Sequence, residues 1–209
     1  MSCFSQDSAR YLARWSSYNI KMRIFLTAVL ATSAVLRCTG GPIDFSPTSS
    51  QRELEGVVFH QLLFHQDGDV ISYEQPRGWT CIGGGSQLKL KATTPSQVEA
   101  SIDQVALAAP QVFDEPTTNQ LKQSVLALAP GDAQNVQLVA EEQSPLRIKQ
   151  QDTYAVTVGY NYFGEDYKLS VLFANLGDLQ LRFRLTARKA DFDGMQRAFR
   201  GSLFSLHWQ

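Results

Sequence analysis

From Leu179 to Arg188 the chain reads LQLRFRLTAR, alternating apolar and polar residues without a break. Leu179, Leu181, Phe183, Leu185 and Ala187 fall on one side of an extended backbone. Gln180, Arg182, Arg184, Thr186 and Arg188 fall on the other, because successive side chains of a strand point to opposite faces. A helix would scatter this pattern around its whole circumference. Two further strand-like runs precede it, TYAVTVGYNYF (153–163) and YKLSVLFA (167–174), separated by GED and NLGD. Links this short join antiparallel neighbours. The C-terminal third is therefore read as an antiparallel meander with one apolar face that needs a cover.

The next segment supplies that cover. In DFDGMQRAFRGSLFSLHW (191–208), Phe192, Met195, Phe199, Leu203 and Leu206 recur at helical steps of three and four, behind an Asp191 cap. Burying such a stripe contributes on the order of 10 kcal/mol before conformational entropy is set against it. A second helix is expected over TTNQLKQSVLALA (117–129), capped by Thr117 or Thr118 and stopped by Pro130-Gly131. Leu121, Val125 and Leu128 share one face of it. NVQLVAEEQSPLRI (135–148) reads as extended and broken at Pro145.

Upstream, VVFHQLLFH (57–65) and VISYEQ (70–75) flank the Asp-Gly turn signal of QDGD and form a hairpin. A short helix over Glu53–Val58 is the alternative for its first residues. Pro76 to Gly78 make a corner, and Trp79 to Ile82 continue briefly in extended form. Gly83-Gly84-Gly85-Ser86 turn into QLKLKA (87–92), and Pro95-Ser96 turn into VEASIDQV (98–105). The fold class is α+β, a largely antiparallel β-sheet with a middle helix and a C-terminal amphipathic helix.

A chain of 209 residues holds one sizeable core and leaves little room for a second domain. That domain is assigned to residues 53–209, preceded by a linker over 41–52 in a stretch rich in Gly, Pro, Ser and Thr. Residues 1–40 are read as an N-terminal extension with a secretory signal. Lys21 and Arg23 precede the apolar run Ile24 to Leu36, which is too short to span a bilayer comfortably. Cleavage fits after Ala34 or Gly40, and synthesis starting at Met22 would give the charged region an ordinary length. The expected location is periplasmic or extracellular, with no transmembrane helix in the mature chain. A lipoprotein anchored at Cys38 is the alternative, against which Arg37 stands. Of Cys3, Cys38 and Cys81, only Cys81 survives cleavage near Gly40, which excludes an intrachain disulfide.

The order of elements, a hairpin ending in YEQPRGW, short strands, a middle helix, a long meander and a final helix closing in FRGSLFSLHW, resembles the PsbP-like α/β/α sandwich family, which includes envelope proteins of the DcrB kind. Tyr73, Pro76, Gly78 and Trp79, then Phe199, Ser202, Leu203 and Phe204, are the matching positions over residues 57–208. Glu74 and Gln75 between Tyr73 and Pro76 depart from the pattern. The resemblance implies a PsbP-like sandwich. It implies no single function, since the family's members are mostly non-catalytic accessory or binding proteins with different tasks.

Residue chemistry points the same way. A net charge of -1 and a pI near 6.3 give no footprint for nucleic acid. His60 and His65 stand at an odd spacing on one strand, so they face opposite ways and share no metal. Gly83-Gly84-Gly85-Ser86 lacks the lysine and spacing of a phosphate loop. Ser33, Ser86 and Ser124 sit in no nucleophile pattern. Glu141-Glu142, Glu165-Asp166, Asp191 and Asp193 are read as solvated acids. No catalytic, metal or cofactor site is assigned.

The candidate anion or partner surface is the polar side of the sheet: Arg182, Arg184 and Arg188, with Lys89 and Lys91, opposite Glu99, Ser101 and Asp103 on another strand. Two accounts stand open, cross-strand ion pairing or a cationic surface for an acidic protein, lipid headgroup or glycan. Arg77 at the corner's tip is the remaining candidate. Tyr160, Tyr162, Phe163 and Tyr167 around one turn are either core or an aromatic contact patch. The expected function is that of an exported, non-catalytic accessory or binding protein of the cell envelope. An enzyme using the Arg-rich face on an anionic substrate and a purely structural envelope component are the alternatives. Whether the polar face is open or lies under the middle helix discriminates among them.

Overall fold

The computed structural model describes residues 41–54, 57–95 and 97–209. The expected export segment, Cys3, Ser33 and Cys38 therefore lie outside the described residues. Among the described residues, eleven strands make two antiparallel sheets, and two helices accompany them. The strands are β1 (Asp44–Leu54), β2 (Val57–Gln66), β3 (Asp69–Tyr73), β4 (Trp79–Gly84), β5 (Gln87–Ala92) and β6 (Glu99–Ala106), then β7 (Gln134–Ile148), β8 (Gln151–Tyr162), β9 (Glu165–Leu176), β10 (Leu179–Arg188) and β11 (His207–Trp208). The helices are α1 (Glu115–Leu126) and α2 (Lys189–Leu203).

The seven-stranded sheet runs β4-β5-β6-β10-β9-β8-β7, and the four-stranded sheet β1-β2-β3-β11. The C-terminal meander stands as read, with β8, β9 and β10 paired in sequence through tight turns. Its long-range step is the return of β10 to β6, which aligns Phe183 with Ile102 and Leu185 with Ala100. The inner face so formed, with Leu88 and Leu90 of β5, meets Phe192, Phe199 and Leu203 of α2 and Phe45, Phe64 and Ile71 of the smaller sheet. A second apolar cluster lies on the outer face, where Leu121 and Val125 of α1 cover Tyr154, Val156, Val158, Val171 and Phe173. The protein is thus an α+β sandwich, with α1 on one side of the large sheet and α2 with the small sheet on the other.

Five local expectations are corrected. The linker over 41–52 gives way from Asp44 onward to strand β1. Ile43 and Phe45 are buried in the core. The Gln104 amide holds the Ile43 backbone from both sides, donating to its carbonyl at 2.6 Å and accepting from its N–H at 2.7 Å. Pro47 falls where the β1–β2 register shifts, consistent with its missing N–H. The alternative of a helix over Glu53–Val58 likewise gives way to the β1–β2 pair.

The middle helix starts earlier than Thr117 or Thr118. Asp114 is its cap, accepting from the Thr117 N–H at 3.0 Å, and Pro116 occupies the first turn, where no N–H is needed. It also ends sooner, and Leu128 is exposed. The last helix starts directly off β10 at Lys189 with no side-chain cap, so Asp191 lies within its first turn, where a carboxylate suits the helix dipole. It stops at Leu203, and His207-Trp208 return to pair with β3.

Gly83-Gly84-Gly85-Ser86 is only partly a turn, since Gly83 and Gly84 close β4. A side chain at Gly83 would collide with the Phe45 carbonyl of β1. The glycine therefore serves close strand approach, and Phe45 N–H donates to the Gly85 carbonyl at 2.8 Å beside it.

Candidate functional site

The corner Pro76-Arg77-Gly78 joins the two sheets. Gly78 takes a positive φ of 73° there, which a glycine adopts at no steric cost. Trp79 beyond it turns inward and is buried. Its indole lies parallel to Phe199 of α2, with centroids 6.1 Å apart. The Tyr73 hydroxyl lies 2.8 Å from Ser202 Oγ, and the Glu74 N–H donates to Ser205 Oγ at 2.8 Å. The YEQPRGW and FRGSLFS stretches are thus two sides of one contact, and that contact is structural. Burial pushes the Tyr73 hydroxyl far up and the Cys81 thiol up to about 12, which leaves the thiol protonated at neutral pH.

The outer face of the large sheet carries the candidate surface, and the register sorts it into rungs. One rung runs Ile82–Lys89–Ser101–Arg184–Val171–Val156, from β4 across to β8. Its first four residues lie beyond the reach of α1 and its last two beneath it, because α1 packs on β7 and β8. The neighbouring rungs run Thr80–Lys91–Glu99–Thr186–Leu169–Val158 and Gly84–Gln87–Asp103–Arg182–Phe173–Tyr154. Polar and apolar halves of one sheet face thus meet at β10. α1 covers the apolar half, and the polar half over β4, β5, β6 and β10 stays open.

That open half is concave, with a volume of about 560 Å³ lined by Lys89, Lys91 and Arg184 among the cations and by Thr80, Ile82, Gln87, Glu99, Ser101 and Thr186. Among the described residues, none of Lys89, Lys91, Arg182 and Arg184 belongs to an ion pair. Arg182 sits one rung away, with its Nε donating to Gln180 Oε1 at 2.9 Å. Burial pushes the carboxyl of its cross-strand neighbour Asp103 up, against the pull of Arg182 and Arg184. Arg188 lies outside the trough. Tyr167 raises its pKa, and its Nε stands 3.9 Å from Glu165 Oε2. Arg77 is exposed on the β3–β4 corner and does not line the trough. The structure therefore gathers Lys89, Lys91 and Arg184, and sets Arg182, Arg188 and Arg77 apart. Thr80, Ile82 and Thr186 had no signal in one strand alone, since only the pairing of β4, β5, β6 and β10 brings them together.

Most of the acids read as solvated are indeed exposed but also bind cations of other elements. Glu141 and Glu142 follow one another on β7 and so point to opposite faces. Glu141 reaches Lys122 of α1 at 3.1 Å and accepts from the Tyr154 hydroxyl at 2.7 Å. Those partners hold its carboxyl below the usual range, Tyr154 most. Glu142 takes a bidentate pair of bonds from Arg200 of α2, at 2.9 and 2.7 Å, which lowers its pKa too. Asp166 and Asp193 pair with Lys189 and Lys168. His60 and His65 are both exposed, and among the described residues no cluster of metal-ligating side chains occurs. Tyr160 and Tyr167 stack at 5.7 Å, with Tyr160 buried in the α1 cluster, whereas Phe163 at the turn is 82% exposed.

No protein-family model matches the chain, and no curated protein matches it. Among solved structures, it is similar to cyanobacterial PsbP from Synechocystis at 14% identity, over 66% of this chain and 86% of that one, with a TM-score of 0.48. It is similar to LpqN, involved in cell envelope biogenesis of Mycobacterium tuberculosis, at 12% identity over 81% and 92% of the two chains, TM-score 0.45. A Pseudomonas aeruginosa protein of unknown function is similar at 13% identity over 74% and 93%, TM-score 0.38. The resemblance to PsbP-like proteins is one of fold.

Proposed function

We propose that this chain is an exported, non-catalytic binding protein of the cell envelope that captures an anionic partner on the open half of its large sheet. The observation that carries this reading is the placement of α1. It covers β7 and β8 and leaves a trough in which Lys89, Lys91 and Arg184 stand without ion-pair partners among the described residues. Cations gathered in a concave surface favour an acidic group more than the same cations on a flat one. A purely structural component would be expected to carry an ion-paired face with no trough. Export is supported by Lys21, Arg23 and the apolar run that follows them. No helix among the described residues is long and apolar enough to cross a membrane.

Capture from envelope extracts tests the reading. A chain carrying Arg182→Ala with Arg184→Ala is expected to keep its fold and lose its partner. Unchanged capture by that variant would end the proposal. The enzyme alternative has one observation in its favour, the raised Asp103 carboxyl beside Arg182 and Arg184. It requires turnover of an anionic substrate that Asp103→Asn abolishes and that follows the ionisation of this acid.

A further inference from the structure

The distribution of charge over the trough is uneven in a way that singles out one spot. On β5, β6 and β10 the outer rungs each set one cation beside one carboxylate, Lys91 with Glu99 and Arg182 with Asp103. The middle rung, Lys89–Ser101–Arg184, has a cation at either end and no acid. With strands about 4.8 Å apart, the two cationic residues stand about 10 Å apart across Ser101, a gap that two long side chains close over one bound anion. The floor between them is a serine whose residue is only 4% exposed. Its Oγ donates to Asp103 Oδ2 across a long 3.5 Å contact, a weak bond from which the hydroxyl can rotate to a bound acceptor.

The rest of the trough says what that anion is attached to. At about 560 Å³ it is far larger than a lone phosphate or carboxylate and matches the size of small-molecule sites. Thr80, Gln87 and Thr186 add hydroxyl and amide groups to its lining. Ile82, 77% exposed, is the exposed apolar side chain of the lining, and Leu90 and Ala100 also contribute to it. An acyl chain laid on this surface would strip water from those polar groups without replacing their hydrogen bonds or pairing the cations. A polyhydroxylated ring would exchange one set of hydrogen bonds for another. A flat bilayer surface does not enter a concavity. Resting on the anionic-partner reading above, we infer that the trough binds an acidic saccharide, with its carboxylate or phosphate held over Ser101 between Lys89 and Arg184.

The test uses the full purified chain, titrated calorimetrically with trigalacturonate, its methyl ester, glucose 6-phosphate, inorganic phosphate and acetate. One of the two charged sugars is expected to bind at least about tenfold more tightly than its uncharged or sugar-free counterpart, and which one does so identifies the acid group. Lys89→Ala with Arg184→Ala is expected to weaken that binding by about tenfold or more while far-UV circular dichroism stays unchanged, and Arg77→Ala to leave it alone. Equal binding of the ester and the acid, phosphate or acetate binding as tightly as the sugar acid, or an indifferent double variant would each overturn the inference. If no saccharide binds while the Arg182→Ala, Arg184→Ala chain still loses its envelope partner, the saccharide class falls and the anionic-partner reading stands. If that chain also retains its partner, both fall.

Discussion

The indole of Trp79 and the ring of Phe199 lie face to face, 7° from parallel. One residue follows the corner that leaves the small sheet, and the other sits in the second half of α2. Their contact fixes the small sheet, α2 and the first strand of the large sheet at one point. Tyr73–Ser202 and Glu74–Ser205 hold the same junction with hydrogen bonds. The corner is the joint of the sandwich.

Phe199→Asp should therefore abolish soluble expression, because it places an unpaired carboxylate in a residue environment only 2% exposed. Trp79→Ala keeps the chain apolar and should cost about 3–5 kcal/mol, the usual range for deleting a large aromatic from a core. Urea unfolding measures it. A loss under about 1 kcal/mol would mean the stack is incidental.

The Tyr73–Ser202 bond has a direction that the geometry decides. Ser202 Oγ spends its single proton on the Phe199 carbonyl, 2.7 Å away, so the Tyr73 hydroxyl donates to Ser202. Tyr73→Phe removes that donor and leaves the serine bonded to the helix. The expected cost is about 0.5–1.5 kcal/mol. Ser202→Ala should cost more, since it strands the buried phenol without an acceptor. A double-mutant cycle reads the coupling, and zero coupling would refute the pairing.

How much of this was legible before the structure depended on range. The β8–β9–β10 meander was readable because its links are a few residues long and Leu179 to Arg188 alternate strictly. The stripe on α2 was readable because Phe192, Phe199 and Leu203 keep helical spacing. Strand β1 was not, because Pro47 and a run of Ser and Thr resemble a linker, and its burial rests on Gln104, far along the chain. The same limit applied to the site. Alternation put Lys89, Lys91 and Arg184 on polar faces, but only the pairing of β10 with β6 set them side by side. Which half of that face α1 would cover is a packing outcome of Leu121 and Val125 with Val156 and Val171. Glu141 and Glu142 looked like a solvated pair for the same reason: their partners sit on two helices remote in sequence.

Gly83→Ala offers a direct check on the β1–β4 approach. A methyl group there meets the Phe45 carbonyl, a backbone atom that has no rotamer to escape into. Strand β1 must move, at about 1–3 kcal/mol, typical of overpacking. The Phe45 amide, bonded to the Gly85 carbonyl, should then exchange with solvent much faster than in the parent chain. Parent-like exchange would show that β1 is not seated against β4.

Acid should loosen the helices from the sheet through the two adjacent glutamates. Arg200 holds the Glu142 carboxyl below its ordinary value. A carboxylate with a depressed folded-state pKa adds stability that is complete above its unfolded value, about 4.3, and is lost as pH falls through the lower folded value. Glu142 is 41% exposed at its side chain and Arg200 only 20%, so solvent screening keeps the pair's contribution to about 1 kcal/mol or less. Glu142→Gln should therefore lower stability slightly at pH 7 and leave it unchanged near pH 2, where the parent's carboxyl is protonated too. Unfolding midpoints of both chains between pH 7 and pH 2 should converge as the medium is acidified. Two curves that stay parallel over that window would mean that Arg200 does not hold Glu142 ionised in the folded protein.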